Sequence, residues 1–131
     1  MRLVGVDYGL KRVGIAISDG QGDFALPYAV WPADDKLLSK IKALCVEKEA
    51  TAIVIGESRD LDGRPNDIMR DILLFKSALE REMSSTPVYL EPEFFTTVEA
   101  ERIQGRHNMT DASAAALILK SYLARHSHGN H

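Results

Sequence analysis

Apolar positions along the chain follow two periods. Residues 2–7 and 13–18 are short runs rich in Val and Ile, parted by a turn that holds Gly9. Two such runs joined by a brief glycine turn predict an antiparallel hairpin. Gly20, Gly22 and Asp23 form the next turn, and residues 24–31 (FALPYAVW) predict a third strand. Pro27 has no N–H to give to a ladder, so this strand belongs at a sheet edge. Residues 52–56 (AIVIG) are wholly apolar, as expected of a buried strand paired in parallel. Residues 87–90 predict a fifth strand.

The second period is helical. Leu37, Ile41 and Leu44 fall at i, i+4 and i+7 behind Asp34 and Asp35, either of which can cap a helix. Ile68, Ile72, Phe75 and Leu79 stripe a helix over about 65–83, with Pro65 suited to its first turn. Thr96 or Thr97 opens a short helix that Gly105 ends. A last helix runs from Asp111 to about Arg125, and its Ala112, Ala115 and Ala116 predict close packing.

Three consecutive strands therefore pair antiparallel, and two later ones return by right-handed helical crossovers. The expected fold class is α/β: a mixed five-stranded sheet, three strands antiparallel and two parallel, flanked by helices. One domain over residues 1–125 accounts for the pattern, and residues 126–131 (HSHGNH) are expected to be a disordered tail.

Composition adds limits. The 131 residues are 45% hydrophobic and 27% charged, enough for one core. The net charge of −3 advertises no basic face for nucleic acid, yet permits a local basic patch beside an acidic site. The lone Cys45, between Leu44 and Val46, predicts a buried thiol and excludes an internal disulfide. The apolar start is too short for a secretory signal, and no run approaches a membrane span. A cytoplasmic chain with no membrane partner is expected.

The candidate chemistry begins at Asp7, which ends the first strand just before Gly9, Lys11 and Arg12. A carboxylate at a strand end with cations beside it suits a metal site that faces a phosphate backbone. Residues 6–19 (VDYGLKRVGIAISD) resemble the opening of the YqgF family. That family comprises RuvC-like proteins of RNase H fold, implicated in pre-16S rRNA processing and described as Holliday junction resolvase-like. Its form D-Y-G-x-K-R-x-G-x-A is matched by Asp7, Tyr8, Gly9, Lys11, Arg12, Gly14 and Ala16. Residues 53–56 (IVIG) and 60–64 (DLDGR) are similar to its central strand and glycine loop. Residues 95–102 (FTTVEAER) resemble the segment after its D-E-R-L-T-T motif, and 110–123 its closing helix. The resemblance covers nearly the whole chain.

It implies an RNase H-like nuclease whose Asp7, Glu93 and Asp111 are catalytic and bind two divalent ions, Mg²⁺ or Mn²⁺. The implied substrate is precursor 16S rRNA at its 5′ end, or branched DNA, and the protein is a monomer or a homodimer. Lys11, Arg12, Arg59 and Arg64 lie on loops expected to hold phosphates. Glu57 is a possible additional acid, because related resolvases carry a ligand glutamate near the end of strand four.

Two departures stand out. Where the family has Asp-Glu-Arg this chain has Pro92, Glu93 and Phe94, with Glu91 as a displaced acid; where it has an apolar residue and proline, this chain has Glu57 and Ser58. The altered segment makes a nucleic-acid-binding module without catalysis a rival reading. A second rival rests on Asp7-x-Gly9, which also resembles the first phosphate loop of actin-like ATPases and sugar kinases. Those need two domains, and no second such loop follows here.

Overall fold

The computed structural model describes residues 2–57, 68–92 and 111–127. Along them run β1 (Arg2–Asp7), β2 (Arg12–Ser18), β3 (Ala25–Pro32), α1 (Leu37–Lys48), β4 (Ala50–Glu57), α2 (Ile68–Glu82), β5 (Val88–Pro92) and α3 (Asp111–Ser127). The start of the expected helix at Pro65, the helix expected between Thr96 and Gly105, and residues 128–131 lie outside the described residues, while His126 and Ser127, expected in a disordered tail, instead continue α3.

The sheet has the order β3-β2-β1-β4-β5. β1 pairs antiparallel with β2, and β2 with β3; β4 is parallel to both β1 and β5. This is the expected mixed sheet. Period-two alternation along each strand divides it into two buried faces. Val4, Val6, Val13, Ile15, Ile53 and Ile55 pack with Leu37, Ile41 and Leu44 of α1 and with Ile72, Phe75 and Leu79 of α2. On the other face Leu3, Ala16, Ala52 and Val54 pack with Ala115, Ile118, Leu119 and Leu123 of α3. A strand apolar on both faces, such as β4, has a continuous hydrophobic sequence for this reason.

Local details follow from specific residues. A Cβ at Gly9 would stand 2.5 Å from the Arg12 carbonyl oxygen, so the tight β1–β2 turn requires glycine. Ser18, buried at the end of β2, accepts the Leu3 N–H on its Oγ at 2.7 Å. The capping expected of Asp34 takes another form. Lys36 occupies the N-cap position of α1 without a side-chain bond. Asp34 accepts the Lys36 N–H on Oδ1 at 3.0 Å and the Leu37 N–H on its carbonyl at 3.2 Å, shaping the turn that feeds the helix. Burial pushes the Cys45 thiol up to about 11, so it stays protonated and inert.

β3 is an edge strand, as Pro27 predicts. Pro27 lies opposite Ala16 and Ala29 opposite Ile15, so the pairing passes over Tyr28 in a bulge. Phe24, Leu26 and Tyr28 are exposed along this edge. Among the described residues no helix is long and apolar enough to cross a membrane.

Candidate active site

β1 is buried along Leu3, Val4, Gly5 and Val6 and surfaces at Asp7, which is half-buried. Pairing on both sides of β1 fixes where that carboxylate emerges. Asp7 lies opposite Gly14 of β2, and Gly14 opposite Val30 of β3. On the other side Val6 pairs with Ile55, so Asp7 is level with Gly56, which pairs with Glu91 of β5. One row thus crosses the whole sheet: Val30, Gly14, Asp7, Gly56, Glu91. Alternation places Asp7 with Leu3 and Gly5 on the α3 face. Opposed residues of neighbouring strands stand about 5 Å apart at Cβ, so any side chain at 14 or 56 would crowd Asp7. Both positions are glycine, so neither neighbouring strand sets a side chain beside the carboxylate at its own level.

The same end of the sheet carries the β1–β2 turn with Leu10, Lys11 and Arg12, all exposed. Arg12 begins β2 two residues before Gly14, so alternation sends it to the face of Asp7. Tyr8 turns the other way. Its ring packs on Phe75 of α2, with centroids 4.9 Å apart, and burial, then Asp71, raises its phenol above the ordinary value. Tyr8 therefore anchors the strand end as a neutral ring.

The other candidates separate. Glu57 ends β4 beside β1, as expected, but lies one residue beyond the level of Asp7. Alternation groups it with Ile53 and Ile55 on the face of α1 and α2, opposite to Asp7. Asp111 is the first residue of α3. That helix touches β1 where a Cβ on Gly5 would meet the Ala115 carbonyl oxygen at 3.0 Å and the Leu119 Cβ at 3.1 Å. Asp7 is two strand residues from this contact, about 7 Å, and Asp111 one helical turn, about 6 Å. Glu93, Arg59 and Arg64 lie outside the described residues. Among the described residues no three acidic, His or Cys groups are grouped to hold a metal ion.

Glu91 has a different part from the one its sequence position suggests. It is buried, accepts the Ser121 hydroxyl at 2.8 Å and pairs with the Arg125 Nη1 at 3.0 Å, both on α3. It ties the last two turns of the helix to the row that contains Asp7. The sequence did not single out Gly56, Ser121 or Arg125. Gly56 closes the AIVIG run, but its place beside Asp7 depends on register, which one sequence does not display.

Residues 1–125 match the model of a family described as RuvX, Holliday junction resolvase. This chain belongs to that family. The YqgF resemblance carried by Asp7, Gly9, Lys11 and Arg12 is thereby borne out. Within the RuvX family's curated relatives, one from Maridesulfovibrio salexigens is 33% identical, covering 95% of this chain and 99% of its own length. Another from Nitratidesulfovibrio vulgaris is 35% identical over 94% of this chain and 93% of its own. Both are named as candidate pre-16S rRNA nucleases. Among solved structures, T. thermophilus RuvC in complex with a Holliday junction substrate superposes with a TM-score of 0.61 at 16% identity, covering 95% of each chain. The fowlpox virus Holliday junction resolvase gives 0.54 at 14% identity, over 95% of this chain and 99% of its own. These distant likenesses establish the RuvC-like, RNase H-like fold.

Proposed function

We propose that this RuvX family chain is a metal-dependent endonuclease acting in the cytoplasm on the phosphodiester backbone of structured nucleic acid, with precursor 16S rRNA as its substrate. The observation that carries this reading is Asp7, delivered by a fully paired strand between two glycines, with Arg12 on its face and Lys11 in the adjoining turn. The names borne by the relatives support RNA as the substrate. The family description and the junction-bound RuvC fold support a second reading, a branched DNA substrate.

Asp7, Glu93 and Asp111 would hold the ions, and an all-carboxylate set suits Mg²⁺ or Mn²⁺. Ions bound there would supply a nucleophilic water at neutral pH and neutralise charge at the phosphate. The chain's own residues do the rest. Gly14 and Gly56 admit the scissile phosphate to Asp7. Lys11 and Arg12, with Arg59 and Arg64, draw in the nucleic-acid backbone and make binding sensitive to salt. We place Glu57 outside the ligand set, since alternation turns it to the opposite face.

The test is cleavage of end-labelled precursor 16S rRNA and of a four-way DNA junction, with Mg²⁺ or Mn²⁺ and with chelator. Asp7→Asn is expected to lose more than about a hundredfold in rate, as removal of a metal ligand costs several kcal/mol. Glu57→Gln is expected to keep its activity. The substrate that is cut decides between RNA and DNA. Intact binding with no cleavage by the wild type would identify a binding module instead.

A further inference from the structure

Outside both cores, three rings stack in a column at the β5 side of the molecule. Tyr89 of β5 lies against Tyr122 of α3, with centroids 5.8 Å apart and planes 22° from parallel. Tyr122 lies against His126, one turn on, at 4.0 Å and 20°. The His126 Nδ1 is 2.9 Å from the Tyr122 carbonyl oxygen, which holds the imidazole in the stack. Tyr89 is 42% exposed and His126 is exposed. Tyr122 borders the α3 core, but Tyr89 belongs to neither buried cluster. Core packing therefore explains one ring of the three.

From residue 112 to 127 α3 contains no acid; its titratable side chains are Lys120, Tyr122, Arg125 and His126, with Lys120 on the other side of the helix from Tyr122. The acid nearest in β5, Glu91, is buried and already paired with Arg125, whose side chain remains 56% exposed. Arg125 thus faces Glu91 on one side and solvent on the other, within one turn of Tyr122. Its position is defined by the row across the sheet. Glu91, and through it Arg125, lies two strands from Asp7, about 10 Å away on the same face.

We propose that the Tyr89, Tyr122 and His126 column, with the exposed Arg125, binds an unpaired nucleotide of the substrate strand next to the site of cleavage. Aromatic faces accept any base by stacking, and a cation beside them takes a phosphate; this combination serves single strands and offers little to a closed duplex. The proposal rests on the nuclease reading and adds to it a demand for a single-stranded segment beside the cut.

The test uses the full chain carrying Asp7→Asn, so that bound strands stay intact. Fluorescence anisotropy with labelled single-stranded RNA, single-stranded DNA and duplex measures affinity. Tyr89→Leu and His126→Leu are each expected to weaken single-strand binding about tenfold and to leave duplex binding within about twofold. RNA carrying 5-iodouridine is expected to cross-link to Tyr89 or His126 on irradiation. Unchanged single-strand affinity in both variants, with cross-links elsewhere, would overturn the platform. So would an equal loss for single strand and duplex. Thermal melts keep a folding defect apart from a binding defect. If the chain without Asp7→Asn cleaves RNA while these variants bind normally, only the platform fails. If it neither binds nor cleaves, the nuclease reading fails with it.

Discussion

The proposed role of Asp7 depends on what its neighbours lack. Gly14 and Gly56 stand at its level on either side, and each contributes no side chain to the α3 face. Gly56→Val suits strand geometry but places two methyl groups beside the carboxylate. It is expected to cut the cleavage rate about a hundredfold, the usual cost of ångström-scale misplacement at a reacting centre, while binding of single strands persists. Initial rates and anisotropy on the same preparation check this. At this scale the sequence was informative where function is packed into a contiguous stretch. Asp7, Gly9, Lys11 and Arg12 fall within six residues and declare a turn with an acid before it and cations after it. Gly56, Glu91, Ser121 and Arg125 meet only through pairing and helix placement. Glu91 illustrates the limit: by position it looked like a spare ligand, and folding assigns it to a hydroxyl and a guanidinium.

Among the elements, α3 sets the tightest tolerance. It approaches β1 so closely at Gly5 that an added methyl group would meet the Ala115 carbonyl oxygen and the Leu119 Cβ. The alanine-rich sequence of this helix predicted such packing, since small residues allow backbones to approach. Gly5→Ala is expected to destabilise the fold by about 1–3 kcal/mol through overpacking, and to lower the thermal midpoint by several degrees. Calorimetry of the variant decides it. Because α3 also begins at Asp111, the same strain is expected to reduce cleavage more steeply than stability alone accounts for. The strands were legible from dense Val and Ile runs, and α1 and α2 from their periodic stripes. The start of α1 was less so. A single acid can serve a helix either as its cap or in the preceding turn, and Asp34 takes the turn.

At the level of the whole molecule, stability and chemistry are built from separate parts. Both faces of the sheet are lined by apolar side chains, whereas Asp7 and Asp111 stand at the ends of β1 and α3. Chelation is therefore expected to abolish cleavage yet move the thermal midpoint by no more than about 2 °C, since weakly held ions add little by mass action. A melt with and without chelator tests this separation. Sheet topology was legible because order and crossover rules leave few choices. The division of labour between faces was not, since it needs the register. The bulge at Tyr28 has a consequence for life at high concentration. An outer strand carrying exposed Leu26, Tyr28 and Val30 invites the same strand of another copy to add on, and so to seed a growing ribbon. Pro27 withholds a donor in the middle of that strand and the skipped residue bends it out of line. Two adjacent positions thus work against growth through that margin.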